Sequence, residues 1–100
     1  MTTPLTGAEK RALRARAQRM EASVRLGHAG LTEAWLKTLD DELERQELVK
    51  VRFTDPAVER KVMAPQVAEK SGSELIALVG NVAVYFRKKR KVDEGEGEKG

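Results

Sequence analysis

The sequence has no cysteine and a single histidine, His28. A disulfide scaffold and a thiolate metal site are therefore excluded. A zinc site would have to be built mostly from carboxylates, a poor ligand set for that ion. Long hydrophobic runs are also missing. The longest, LIALV from Leu75 to Val79, falls far short of the ~20 apolar residues that span a bilayer. The opening segment MTTPLTGAEK lacks the charged-then-apolar layout of a signal peptide. A cytoplasmic protein with no membrane partner is expected. No nucleophile–base pair, metal cluster or phosphate-binding lysine motif stands out, so the expectation is a protein that is not an enzyme and needs no cofactor.

What remains is a chain of 100 residues, long enough for one domain with one modest core. The net charge is +3, unevenly spread. Residues 1–30 carry six Lys or Arg against two acidic groups, and residues 31–60 carry five against eight. The run RKKRK from Arg87 to Lys91 then adds five positive charges. Such a polarised surface suits a polyanionic partner on its positive part.

Thr6 followed by Glu9 forms a capping-box pattern, with Leu5 as a staple. A helix follows to about Met20, burying Leu13, Ala17 and Met20 and turning Arg11 and Arg14 outward. SVRLG reads as a short strand. Thr32 is a good N-cap for a second helix ending near Glu47, with an apolar stripe of Trp35, Leu36, Leu39 and Leu43. LVKVRF alternates, with Val49, Val51 and Phe53 on one side and Lys50 and Arg52 on the other, as a half-buried strand does. A third helix is expected to follow the TDP turn at Thr54 to Pro56 and to run to about Lys70. It should turn Val58, Val62 and Ala68 inward, and kink or break at Pro65. Ser71–Gly72–Ser73 stops it. Two strands around Gly80-Asn81 complete the domain as a hairpin, with Tyr85 and Phe86 on opposite faces. The tail after residue 88 has little to bury and should be flexible over 89–100.

Helix, strand, helix, strand, helix, strand, strand is an α/β order. It predicts a four-stranded mixed sheet packed with three helices over residues 1–88.

Between the first strand and second helix lies Gly27-His28-Ala29-Gly30. Two glycines let a chain turn sharply. They also bare the backbone, so its N–H groups can meet a phosphate. A Gly-x-x-Gly loop clamps the nucleic-acid backbone in KH-type domains. By itself the pattern is also that of a plain strand-to-helix turn.

Three segments in order, LTGAEKRALRARA, VRLGHAGLTEAWLKTLDDELERQELVKVRF and GSELIALVGNVAVYFRK, resemble the YhbY-like, or CRM-domain, family (chloroplast RNA splicing and ribosome maturation) across residues 5–88. The resemblance implies an RNA-binding α-β-α-β-α-β-β domain, similar to the C-terminal domain of translation initiation factor 3. It implies a bacterial ribosome assembly factor on precursor rRNA of the large subunit; ribosomal proteins are a further partner class to be expected there. It places the RNA contact at Gly27, His28, Ala29 and Gly30, and equates Arg87 with a family arginine. Many members carry Lys or Arg inside this loop, where this chain has His28-Ala29. Positive charge must then come from Arg11, Arg14, Arg25, Arg87 and Lys88. A monomer is expected. The acidic set Asp40, Asp41, Glu42, Glu44 and Glu47 reads as a solvent stripe without fixed partners. The alternative function is a protein-interaction module using that stripe to meet a ribosomal protein or assembly factor.

Overall fold

The computed structural model describes residues 5–88. The tail over 89–100, including Lys89, Arg90 and Lys91 of the basic run, lies outside the described residues. Thr6 opens α1 (Gly7–Gln18): its hydroxyl accepts from the Glu9 amide at 3.1 Å, and Glu9 Oε1 accepts from the Thr6 amide at 2.8 Å. This reciprocal box satisfies donors that a helix start leaves unpaired. Three residues, Val24–Leu26, form β1. Thr32 caps α2 (Glu33–Gln46), its hydroxyl accepting from the Trp35 amide at 3.0 Å. A single residue, Glu47, then links α2 to β2 (Leu48–Phe53). Its φ of 64° is a left-handed conformation that costs a residue with a Cβ. Its amide donates to the Leu43 carbonyl, and its carbonyl accepts from the Arg87 amide, both at 2.9 Å.

The third helix departs from expectation. The TDP segment forms a turn closed by Asp55, which accepts from the Ala57 amide at 2.9 Å. Helix α3 starts only at Arg60 and runs unbroken to Ser71, with Pro65 inside it. Proline withholds one donor from the helical ladder. The carbonyl it would have reached belongs to Lys61, an exposed residue where water can replace the bond. The inward face differs too. Ala64 and Val67 are buried and Met63 and Ala68 pack beside them, whereas Val62 is 57% exposed. Two residues turn a helix by about 200°, so Val62 must lie opposite Ala64. Val58 packs against the core from the loop before the helix. Gly72 ends α3 at φ 67°, as a left-handed cap does.

Strands β3 (Glu74–Val79) and β4 (Val82–Phe86) form the hairpin around Gly80-Asn81, with Gly80 at φ 60°. The sheet order is β1-β2-β4-β3. β1 and β2 are parallel, and the other two pairs are antiparallel. The architecture is thus the expected one of three helices and a four-stranded mixed sheet.

Helices cover both faces. On one face, Val49, Val51, Phe53, Ala83 and Tyr85 meet Leu39 and Leu43 of α2 and Ala64 and Val67 of α3. On the other, Leu48, Ile76 and Val84 meet Leu13 and Ala17 of α1. Tyr85 and Phe86 do point to opposite faces: Tyr85 is fully buried and donates its hydroxyl to the Ala64 carbonyl at 2.9 Å, while half-buried Phe86 packs beneath α1. Trp35 packs at the core margin and donates its indole N–H to the Arg25 carbonyl.

Candidate nucleic-acid interface

Strand direction decides what meets the Gly27–Gly30 loop. β1 and β2 are parallel, so the turn after β2 sits beside the loop that follows β1. β4 runs against β2, which brings the Gly80-Asn81 hairpin tip to the same end, where the Phe53 amide donates to the Asn81 carbonyl at 2.7 Å. Three connections therefore gather at one end of the sheet.

The two glycines serve different ends. Gly30 has φ 77°, with nothing within 4 Å of where a Cβ would stand. Its requirement is conformational. At Gly27 a Cβ would come within 3.1 Å of Thr54 Oγ1. Its requirement is closeness to β2, where the Thr54 amide donates to the Leu26 carbonyl at 2.9 Å. The turn itself is closed by the Gly30 amide donating to the Gly27 carbonyl at 3.1 Å. Among the described residues, the amides of His28 and Ala29 have no acceptor. They are bare donors at an exposed corner, the arrangement that suits an anionic oxygen.

The His28 side chain is 99% exposed, with Nδ1 3.2 Å from Asp55 Oδ2. Asp55 is held below its ordinary acidity range, first by the Ala57 amide and then by His28. The loop's histidine is thus tethered to the neighbouring turn, a partner 27 residues away that no local pattern announces.

The arginines expected around the loop divide. Arg25 lies on β1 just before it, and Arg14 lines a groove between α1 and the sheet. Arg11 falls in the helical turn of Lys10, which pairs with Glu74 at the start of β3, the far end of the sheet. Arg87 and Lys88 follow β4 at that far end as well. Lys88 is exposed there. The Arg87 side chain is only 18% exposed and is committed internally: its guanidinium lies 2.8 Å from Asp40 Oδ1 and 3.2 Å from Glu44 Oε2, and donates to the Ser71 carbonyl at 2.7 Å. This also corrects the reading of the acidic stripe. Asp40 and Glu44 hold Arg87, Glu42 accepts from Arg45 and Gln46, and Asp41 faces Lys37 at 3.7 Å.

A neighbour missing from the expected set is Arg52. It lies directly across from Arg25 in the β1–β2 register. Its alternation in LVKVRF marks it as outward, but only the pairing puts it beside Arg25.

Comparison with known proteins identifies the family and the fold. Residues 5–87 match the family described as the CRS1 / YhbY (CRM) domain. The chain is 30% identical over 88 residues to the probable RNA-binding protein YqeI of Bacillus subtilis, covering 87% of this chain and 92% of that protein. It is 34% identical over 86 residues to the probable RNA-binding protein MJ0652 of Methanocaldococcus jannaschii, covering 83% of this chain but 63% of that longer protein. The solution structure of the hypothetical protein SAV1595 from Staphylococcus aureus superimposes with a TM-score of 0.74 at 32% identity, covering 95% of this chain and 98% of that one. The family match over residues 5–87 and the identity to YqeI across nearly the whole of both chains show that the chain belongs to the CRS1 / YhbY (CRM) domain family.

Proposed function

We propose that this chain is an RNA-binding module, not an enzyme, and that it docks on structured RNA, precursor rRNA of the large ribosomal subunit, as an assembly factor in the cytoplasm. Its relatives named as RNA-binding proteins support the class of ligand. The observation that carries the mode of binding is the Gly27–Gly30 corner, where the His28 and Ala29 amides have no acceptor among the described residues and Arg25 stands alongside. Phosphate oxygens would take those amides, with His28 as an additional donor at the rim. Arg25 and Arg14 supply the surrounding field, and shape selects the RNA more than base edges do. Arg87, held by Asp40 and Glu44, is left out of this reading.

The test is Gly30→Asp, measured against large-subunit rRNA fragments with folding checked by circular dichroism. A carboxylate in the loop should lower affinity about tenfold or more. Unchanged affinity in a folded variant would remove the loop from the mechanism. A flat dependence of log K on log[salt] would remove phosphate contact altogether.

A further inference from the structure

Helix α1 packs on its face of the sheet and leaves one row uncovered. Leu13 and Ala17 lie over Leu48, Ile76 and Val84. The next row toward the Gly27–Gly30 loop is Arg25, Arg52, Val82 and Val79, one residue from each strand, joined by the registers Arg25↔Arg52, Arg52↔Val82 and Val79↔Val82. Alternation places all four on the α1 face, because Val24, Leu26, Val51, Phe53 and Ala83 point into the opposite core. Arg25 and Arg52 are exposed, Val82 is half-buried, and Val79 is 74% exposed. A groove of about 350 Å³ runs between the valine half of this row and α1, with Arg14 and Lys50 in its wall and no acidic side chain lining it.

The row changes character along its length. Two guanidinium groups occupy the β1–β2 half and two valines the β4–β3 half. Among the described residues, Arg14, Arg25 and Arg52 have no acidic partner, unlike Arg87 at the other end of the sheet. Neighbouring strands are about 4.8 Å apart, so the row extends over roughly 15 Å. Cations on one side and an open aliphatic surface on the other match a single nucleic-acid strand, whose phosphates and base faces lie on opposite edges. A duplex turns its base faces inward and has nothing to offer the valines.

We propose that this uncovered row is a second contact surface, holding a short single-stranded RNA segment that continues from the Gly27–Gly30 loop. Arg25 and Arg52 meet its phosphates, and Val79 and Val82 receive its base faces. The inference rests on the RNA-binding reading and goes beyond it in naming the strand state of the ligand and the residues that sense it.

The experiment measures fluorescence anisotropy of a labelled twelve-nucleotide oligouridine and of a twelve-base-pair RNA duplex. The proteins are wild type, Gly30→Asp, the double variant Arg25→Ala/Arg52→Ala, Val79→Asp and Val79→Ser. The double arginine variant should bind oligouridine about tenfold more weakly, with a log–log salt slope shallower by about 1.4, from two phosphates at about 0.7 each. Both Val79 variants should lose about fivefold on oligouridine and stay within about twofold of wild type on the duplex. A second measurement on the wild type keeps the proposal testable without any variant: the methyl resonances of Val79 and Val82 should shift when oligouridine is added. Wild-type affinity in both Val79 variants, equal losses on the two probes, or unmoved valine methyls would overturn the second surface. If Gly30→Asp loses binding in those same assays, the RNA-binding reading stands while this inference fails, and the row is left to a protein occupant. A wild-type protein that binds neither probe overturns both.

Discussion

Replacing Arg87 with methionine keeps much of the side chain's apolar stem and removes the guanidinium. In the native fold that group joins three elements. It reaches Asp40 and Glu44 on α2 and the Ser71 carbonyl at the end of α3, from a backbone position just beyond β4. The two carboxylates are about half exposed, so each ion pair contributes only about 0.5 kcal/mol. The bond to the part-buried Ser71 carbonyl involves a charged donor and contributes about 1.5 kcal/mol. Relief of the like-charge pair Asp40–Glu44, one helical turn apart, adds about 0.3 kcal/mol. The sum is about 2–3 kcal/mol. For a domain of this size that corresponds to a fall in Tm of roughly 10–20 °C. Arg87→Lys should fall between, because a lysine cannot serve both carboxylates and the carbonyl at once. Thermal melting gives the stability, and anisotropy with an rRNA fragment, below the lower melting point, gives the affinity. Affinity should stay within about twofold of wild type. An unchanged Tm together with a tenfold loss of RNA binding would refute the reasoning and return Arg87 to the interface.

Tyr85→Phe removes the donor to the Ala64 carbonyl and should cost about 1 kcal/mol in urea denaturation. Burial raises the Tyr85 pKa, so the neutral phenol stabilises the fold fully below the ordinary value of 10.0. Wild-type stability should decline as pH rises beyond that value, and Tyr85→Phe should flatten the alkaline limb. The lowered pKa of Asp55 stabilises the fold above the ordinary 3.8 and is lost as pH falls through the lowered value. Asp55→Asn should therefore show a smaller loss of stability than wild type between pH 5 and pH 3.

Features set by near neighbours in sequence were legible before the structure. The Thr6–Glu9 box, the Thr32 cap and the alternation of LVKVRF each depend on residues a few positions apart, and each appears in the fold. The third helix was misread because Val58 and Val62 stand at helical spacing, although Val58 belongs to the loop before the helix. Small Ala64 gives a weak apolar signal, yet it faces Tyr85 in the core. For the candidate interface, the glycine loop was legible and its surroundings were not. Arg52 stands beside Arg25 through strand register, and Asp55 reaches His28 through the parallel pairing of β1 with β2. Arg87 was assigned by its resemblance to a family arginine and by its place in a run of positive charge. A run records composition, whereas the acids that claim Arg87 sit more than forty residues earlier.

The connections of the candidate interface gather at one end of the sheet, and both ends of the described chain lie toward the other. Leu5 packs near the start of α1, whose Lys10 meets Glu74, and Lys88 follows the last residue of β4, which pairs with Glu74. A six-residue strand separates the two ends by about 20 Å. The fold behaves as a plug with its wiring at the back. A tag, a tether or a further domain can be joined at either end without shading the front, and several copies could be strung along one chain with every front facing outward.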